Sequence, residues 1–143
     1  MRFSEALGRK IVSLSTAETV GLVEEFVVDP RSRRVVALGA SKSSTGSTIR
    51  WGDIESFGTD AVTVSGADKL AGADAKIDRL SGKDHEFLGK RVLATVGDEI
   101  GQVDDVEFDP DSGDILALVL TNGNVDAVRL IGVGSYAVVV KDA

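Results

Sequence analysis

The sequence predicts a mainly β protein: two small, bent antiparallel β-barrels in tandem, joined by a short linker helix. Three observations carry this. The first is an internal repeat. Gly21-Leu22-Val23-Glu24-Glu25-Phe26-Val27-Val28-Asp29-Pro30-Arg31-Ser32-Arg33-Arg34-Val35-Val36-Ala37-Leu38 has a twin that starts at Gly101 and ends at Leu118, offset by 80 (101 minus 21). The second is turn chemistry at the centre of each copy, Asp29-Pro30-Arg31-Ser32 and Asp109-Pro110-Asp111-Ser112, which reads as strand, tight turn, strand. The third is a change of period between the copies, where Leu70, Ala73, Ile77 and Leu80 fall at helical spacing.

The division that follows is a first module over 1–66, a partly helical linker over 67–88 and a second module over 89–143. Modules of this size bury only about 60% of their unfolded surface when alone, so mutual packing is expected. The chain is 43% hydrophobic and 27% charged, the balance of a folded protein. With no cysteine, disulfides, thiolate metal sites and cysteine catalysis are excluded. The N-terminus has no signal-like apolar run, and no stretch is long and apolar enough to span a membrane. The expected setting is cytoplasmic.

Each module opens with a glycine and a short strand, Gly8-Arg9-Lys10-Ile11-Val12 and Gly89-Lys90-Arg91-Val92-Leu93. In the long hairpin that follows, Val23, Phe26 and Val28 match Val103, Val106 and Phe108. Spacings of three and then two break strict alternation at Glu24-Glu25 and Asp104-Asp105, which predicts a β-bulge there. The paired acids are read as a solvent-facing bulge rather than a catalytic dyad. Asp109, Asp111 and Asp114 invite a calcium reading, but Asp114 stands where an EF-hand loop needs glycine and Leu120 where it needs glutamate.

The return strands, 35–38 and 115–120, are apolar on both faces. One face fills a barrel; the other has to be covered by the other module or a second chain. Val36, Leu38, Leu116 and Leu118 are therefore the candidate assembly surface, and a homodimer is the expected state. Arg31, Arg33 and Arg34 make one basic cluster beside the first turn, a candidate docking patch for an acidic partner.

The loop 39–47 contains Gly, Lys and Ser but lacks the G-x-x-x-x-G-K-[ST] order of a phosphate loop. Its counterpart is Thr121-Asn122-Gly123-Asn124, where Asn-Gly predicts a two-residue turn. The closing segments align at an offset of 76 (130 minus 54), with Ile54 and Leu130 pinning a short turn. Gly132 and Gly134 lack the third glycine and the βαβ context of a dinucleotide site. His85, the only histidine, sits in a polar linker and reads as a surface residue. No catalytic, metal or cofactor site emerges.

Charge is unevenly spread. Residues 1–66 carry 8 Lys/Arg and 8 Asp/Glu, 67–88 carry 4 and 5, and 89–143 carry 4 and 10, which sum to the net −7. The acidic second module disfavours nucleic acid.

Both modules resemble the PRC-barrel domain. The resemblance rests on Gly8, Gly21, Asp29, Pro30, Ala37, Trp51, Ile54, Gly58 and Val62, and on Gly89, Gly101, Asp109, Pro110, Ala117, Leu130, Gly134 and Val138. The second copy departs where Asp126-Ala127-Val128 replaces the Trp51 region. The resemblance implies a small bent barrel used for assembly and docking, as in the H subunit of purple bacterial photosynthetic reaction centres and a ribosome-maturation factor. This chain shows neither the membrane helix of the first nor the second domain type of the other. Neither role carries over directly. The expected function, resting on the two-faced apolar return strands and the lack of a catalytic constellation, is a non-catalytic adaptor or scaffold that self-associates and docks an unspecified protein partner. A ribosome- or RNA-processing role by analogy, or small-ligand binding, is the alternative.

Overall fold

A computed structural model describes residues 1–41 and 46–142; the Lys-Ser part of the 39–47 loop lies outside them. The first sheet comprises β1 (Lys10–Ser13), β2 (Thr19–Asp29), β3 (Arg34–Ala40), β4 (Thr48–Arg50), β5 (Ile54–Phe57) and β6 (Ala61–Val64), in the order β4-β3-β2-β1-β6-β5. The second comprises β7 (Arg91–Ala94), β8 (Glu99–Phe108), β9 (Ile115–Leu120), β10 (Gly123–Asp126), β11 (Leu130–Val133) and β12 (Val138–Val140), in the order β10-β9-β8-β7-β12-β11. The sequence repeat is thus a repeat of topology.

Two details differ from the expected barrels. β1 runs parallel to β6, and β7 to β12, so the sheets are not wholly antiparallel. A 3₁₀ turn at Trp51–Asp53 carries the chain from one edge strand, β4, to the other, β5. Strand pairing among the described residues does not join those edges, so each sheet stays open there. The β9–β10 hairpin pairs Leu120 with Gly123, which places its loop at Thr121-Asn122, one residue earlier than the Asn-Gly signal suggests.

The predicted bulges are present. Register shifts between Val23 and Glu25, and between Val103 and Asp105. The extra residue returns Phe26, Val28, Val106 and Phe108 to the buried face. A second shift, between Val27 and Val28 and between Glu107 and Phe108, leaves Val36 and Leu116 as the extra residues of β3 and β9.

The turns work as their composition predicts. The carboxylates of Asp29 and Asp109 accept the N–H groups of Arg31 and Asp111 at 3.0 and 2.8 Å. Arg33 (φ 57°) and Gly113 (φ 82°) hold equivalent left-handed positions, favourable for glycine and strained for arginine. These turns meet at the seam between the sheets. Val35 N–H donates to Gly113 O, and Ile115 N–H donates to Arg33 O, both at 2.8 Å. Since 115 minus 35 and 113 minus 33 are both 80, the two bonds exchange under the repeat. The halves therefore meet about a local pseudo-twofold axis.

One hydrophobic core spans both sheets. Phe108, fully buried, lies 5.4 Å from Phe3, 5.2 Å from Phe26 and 5.4 Å from Phe57, ring centre to ring centre. Phe3 stacks on Phe26 at 4.0 Å. Phe3 belongs to α1 (Phe3–Ala6), a short helix the sequence did not announce. The chain just before it is held by reciprocal bonds between Met1 and the Phe108 backbone, 3.0 and 2.8 Å.

The linker helix, α2, is shorter than its apolar spacing suggested, Ala75–Leu80. Asp74 caps it by accepting Ile77 N–H at 2.8 Å. Leu70 is buried but lies ahead of the helix, separated from it by Gly72. Ile77 packs on Val27 and Ala37, with Val36, Ala73 and Leu80 alongside. The helix therefore covers the outer face of β2 and β3.

Phe108→Ala should cost about 3–5 kcal/mol, as for other buried aromatic truncations. Because the cavity would open in a shared core, denaturant unfolding followed by Trp51 fluorescence should shift by the same amount as unfolding followed by far-UV circular dichroism. A Trp51 transition that stays at its wild-type midpoint would contradict a shared core.

Candidate docking surface

The return strands divide their apolar residues between two environments. Leu38 and Leu118 are fully buried in the core. Val36 is half-buried in the small cluster around Ile77. Leu116, its counterpart in the second sheet, is 49% exposed. Of the four, Leu116 is the one that offers apolar surface outward. A strand pattern cannot show this division, because it depends on which outer face the linker helix covers.

The arginines are drawn toward the second sheet. Arg34 pairs with Asp114 at 2.9 Å and donates to Ser112 O at 3.0 Å. Arg33 Nε donates to Leu130 O at 3.3 Å. Arg31 is exposed. Arg34 thus meets its acidic group within the same chain.

The acid pairs split in a way the spacing did not predict. Glu24 and Asp104 are exposed, and Thr121 Oγ1 donates to Asp104 at 2.8 Å. The second acid of each pair turns in and holds the segment that precedes the opposite sheet. Asp105, buried, accepts from Ser4 N–H at 3.1 Å, from the Ser4 hydroxyl and from Val106 N–H at 2.9 Å. Glu25 accepts Gly82 N–H at 2.8 Å. Nothing local in the sequence marks this role, since the partners lie 101 and 57 residues away. A matching pair of cations reaches the closing turns: Arg9 donates to Gly58 O at 2.8 Å and Lys90 to Gly134 O at 2.9 Å. His85 is half-buried, its Nδ1 3.1 Å from Ser81 O.

Charges fasten α2 at its start. Lys76 pairs with Asp29 at 3.3 Å, and Arg50 pairs with Asp74 at 3.1 Å. Burial, the largest single influence on the Asp29 carboxyl, pushes its pKa up. The Arg31 N–H, the Lys76 ammonium and the Ser32 N–H together outweigh it, so the pKa lies below its ordinary value of 3.8.

Exposed large apolar side chains gather on the second half: Val96, Leu116, Val128, Ile131 and Tyr136, against Leu14 and Leu22 on the first. Leu116 and Val128 line a groove of about 440 Å³ beside the seam, together with Arg33, Asp114 and Asp126. Tyr136 lies under the Arg91 guanidinium, 4.6 Å from ring centre to Cζ, and its hydroxyl accepts from Arg91 at 3.2 Å. Among the described residues no three His, Asp or Glu side chains gather as a metal site, and no helix is long and apolar enough to cross a membrane.

The family model of the PRC-barrel domain matches residues 82–143, the whole second sheet with the 3₁₀ turn that precedes it. No curated protein matches the chain. The second half is therefore similar to a PRC-barrel domain by sequence, and the first half repeats its strand order.

Asp105→Ala should cost about 1–3 kcal/mol by removing the charged acceptor shared by the Ser4 donors and the buried Val106 N–H. It should also speed hydrogen exchange in α1 more than in β8; equal acceleration in both would mean that Asp105 does not hold the N-terminal segment. The acid limb of stability should depend on Asp29. Its depressed pKa means that its contribution is complete above the ordinary value and is lost as pH falls through the folded value. Lys76→Ala should raise the Asp29 pKa in a carboxyl NMR titration and shrink this loss; an unchanged titration would show that Lys76 does not act on it.

Proposed function

We propose that this chain is a non-catalytic docking protein. In this reading it is made of two PRC-barrel-like modules, 1–66 and 89–143, joined by the linker 67–88, and the second module presents the surface that a protein partner meets. The observation that carries the reading is that Leu116 and Val128, both exposed, share a groove on the second half. Exposed apolar side chains that share a groove are the kind of surface that marks interaction sites.

The residues with most chemical potential support binding over catalysis, because they are engaged in holding the fold. Asp29 and Asp109 cap turns, Asp105 and Glu25 fasten the leading segments, and His85 meets a backbone carbonyl. The acidic second half favours a protein over an RNA backbone. Self-association, in this reading, would run through Leu116 rather than through Leu38 or Leu118, which are buried.

Affinity capture from an extract of the native source, comparing wild type with a Leu116→Asp, Val128→Asp double variant, tests the reading. Both side chains are exposed, so the variant should keep its circular dichroism spectrum while losing about tenfold or more of the captured partner, as for loss of a central apolar anchor. Light scattering over a dilution series separates a second copy from a different protein. Equal capture by both forms would overturn the assignment of this surface.

A further inference from the structure

The repeat contains its own example of how an outer face is covered. On the first sheet, Val27 and Ala37 are cross-strand neighbours under Ile77 of α2, with Val36 beside them. On the second sheet the equivalent positions are Glu107, Ala117 and Leu116, each 80 residues on. Glu107 and Ala117 are again cross-strand neighbours, but they are half-buried and Leu116 is exposed. The N-terminal segment meets β8 at Asp105, Glu107 and Phe108, and no counterpart of α2 is present among the described residues.

The charges that fasten α2 also have counterparts, and their sign differs at one end. Asp29, which holds Lys76, corresponds to Asp109. Arg50, which holds Asp74, corresponds to Asp126 (126 minus 50 is 76). Asp109 and Asp126 each spend one carboxylate oxygen on backbone N–H groups, Asp109 on those of Asp111 and Ser112 and Asp126 on that of Val128. The second oxygen of each has no partner among the described residues. A helix lying here as α2 lies on the first sheet would thus start between two carboxylates. Its apolar side would rest on Leu116 and Ala117, and Leu116 also lines the groove that Val128, Asp126 and Arg33 share.

We propose that the outer face of β8 and β9 receives a short amphipathic helix from a different protein, basic in its first turn. The proposal rests on the docking reading above and names its occupant. A second copy's α2 does not fit, because its Asp74 would face Asp126. A helix with Lys or Arg there would pair with Asp109 and Asp126, and an Ile- or Leu-sized residue one turn on would cover Leu116 and Ala117.

The test uses the full isotope-labelled chain and a synthetic acetylated peptide of residues 71–83 carrying Asp74→Ser and Ala75→Lys. This keeps an N-cap and places two lysines in the first turn. A peptide so short is mostly unfolded when free, so binding should be weak and read by NMR shift changes. Shifts confined to 107–109, 115–119 and 126–128 are expected. Affinity should fall about tenfold in Leu116→Asp, as for loss of a central contact, and severalfold in Asp126→Lys. It should also fall as salt rises from about 0.05 to about 0.5 M.

Shifts around Val27 and Ala37 would mean exchange with α2, and shifts around Val96 and Tyr136 would mean a different surface; both overturn this inference and leave the docking reading standing. No shift at millimolar peptide overturns it too, and the capture experiment then decides the docking reading separately. Undiminished binding to Asp126→Lys would overturn the basic character of the helix.

Discussion

Phe108 ends the longest strand of the second sheet, yet every aromatic ring it touches comes from the first half or the N-terminal segment: Phe3, Phe26 and Phe57. This one packing contact makes the two sheets interdependent. Each half is too small to bury much of its own surface, and each leaves an inner face that only the other completes. The seam bonds between residues 33–35 and 113–115 hold the halves in the register at which the rings meet. The leading segments then cross over, with α1 lying on β8 and Gly82 bonded to Glu25 on β2. Each sheet is thus fastened by chain that leads into its partner.

The pseudo-symmetry is broken where breaking it helps packing. Trp51 lies so close to Gly113 that an added Cβ would come within 2.9 Å of the indole ring. At the equivalent place on the other side of the seam, the bulky residue is Arg33 and the small one is Ala127, and the two line the same groove. Large meets small on both sides, but with the assignments exchanged. Gly113 therefore answers two demands, a left-handed backbone and room for an indole, whereas Arg33 accepts the strained conformation and bonds to Leu130 O. The halves are complementary rather than interchangeable, a physical basis for their pairing within one chain. The same divergence explains the unequal outer faces. Val27 became the floor for Ile77, while Glu107 stands at the matching position, where Ala117 is half-buried and Leu116 exposed.

Much of this was legible from residue spacing. The three-then-two spacing of Val23, Phe26 and Val28 announced the bulges, because an inward face can be restored only by an extra residue. Asp-Pro-x-Ser announced the turns, because an aspartate side chain reaches a backbone N–H two residues on. These are local interactions, and the chain encodes them over a few residues. Two local signals misled by a small margin. Asn122-Gly123 marked the right hairpin one residue late, and Leu70 shared the helix's spacing while belonging to the main core.

What the sequence by itself determined is the architecture of the unit: strands, bulges, turns, and the fact that the unit occurs twice. What only the tertiary structure decided is the use of each polar and outward-facing residue. Asp105 became a buried anchor for Ser4, Arg34 a partner for Asp114, and Val36 a covered residue while Leu116 stayed bare. None of these could be read from spacing, because each depends on a group far along the chain being brought within a few ångströms. A hydrogen bond, an ion pair or a covering helix acts only at contact distance, and contact between distant residues is set by the packing of the two halves around Phe108.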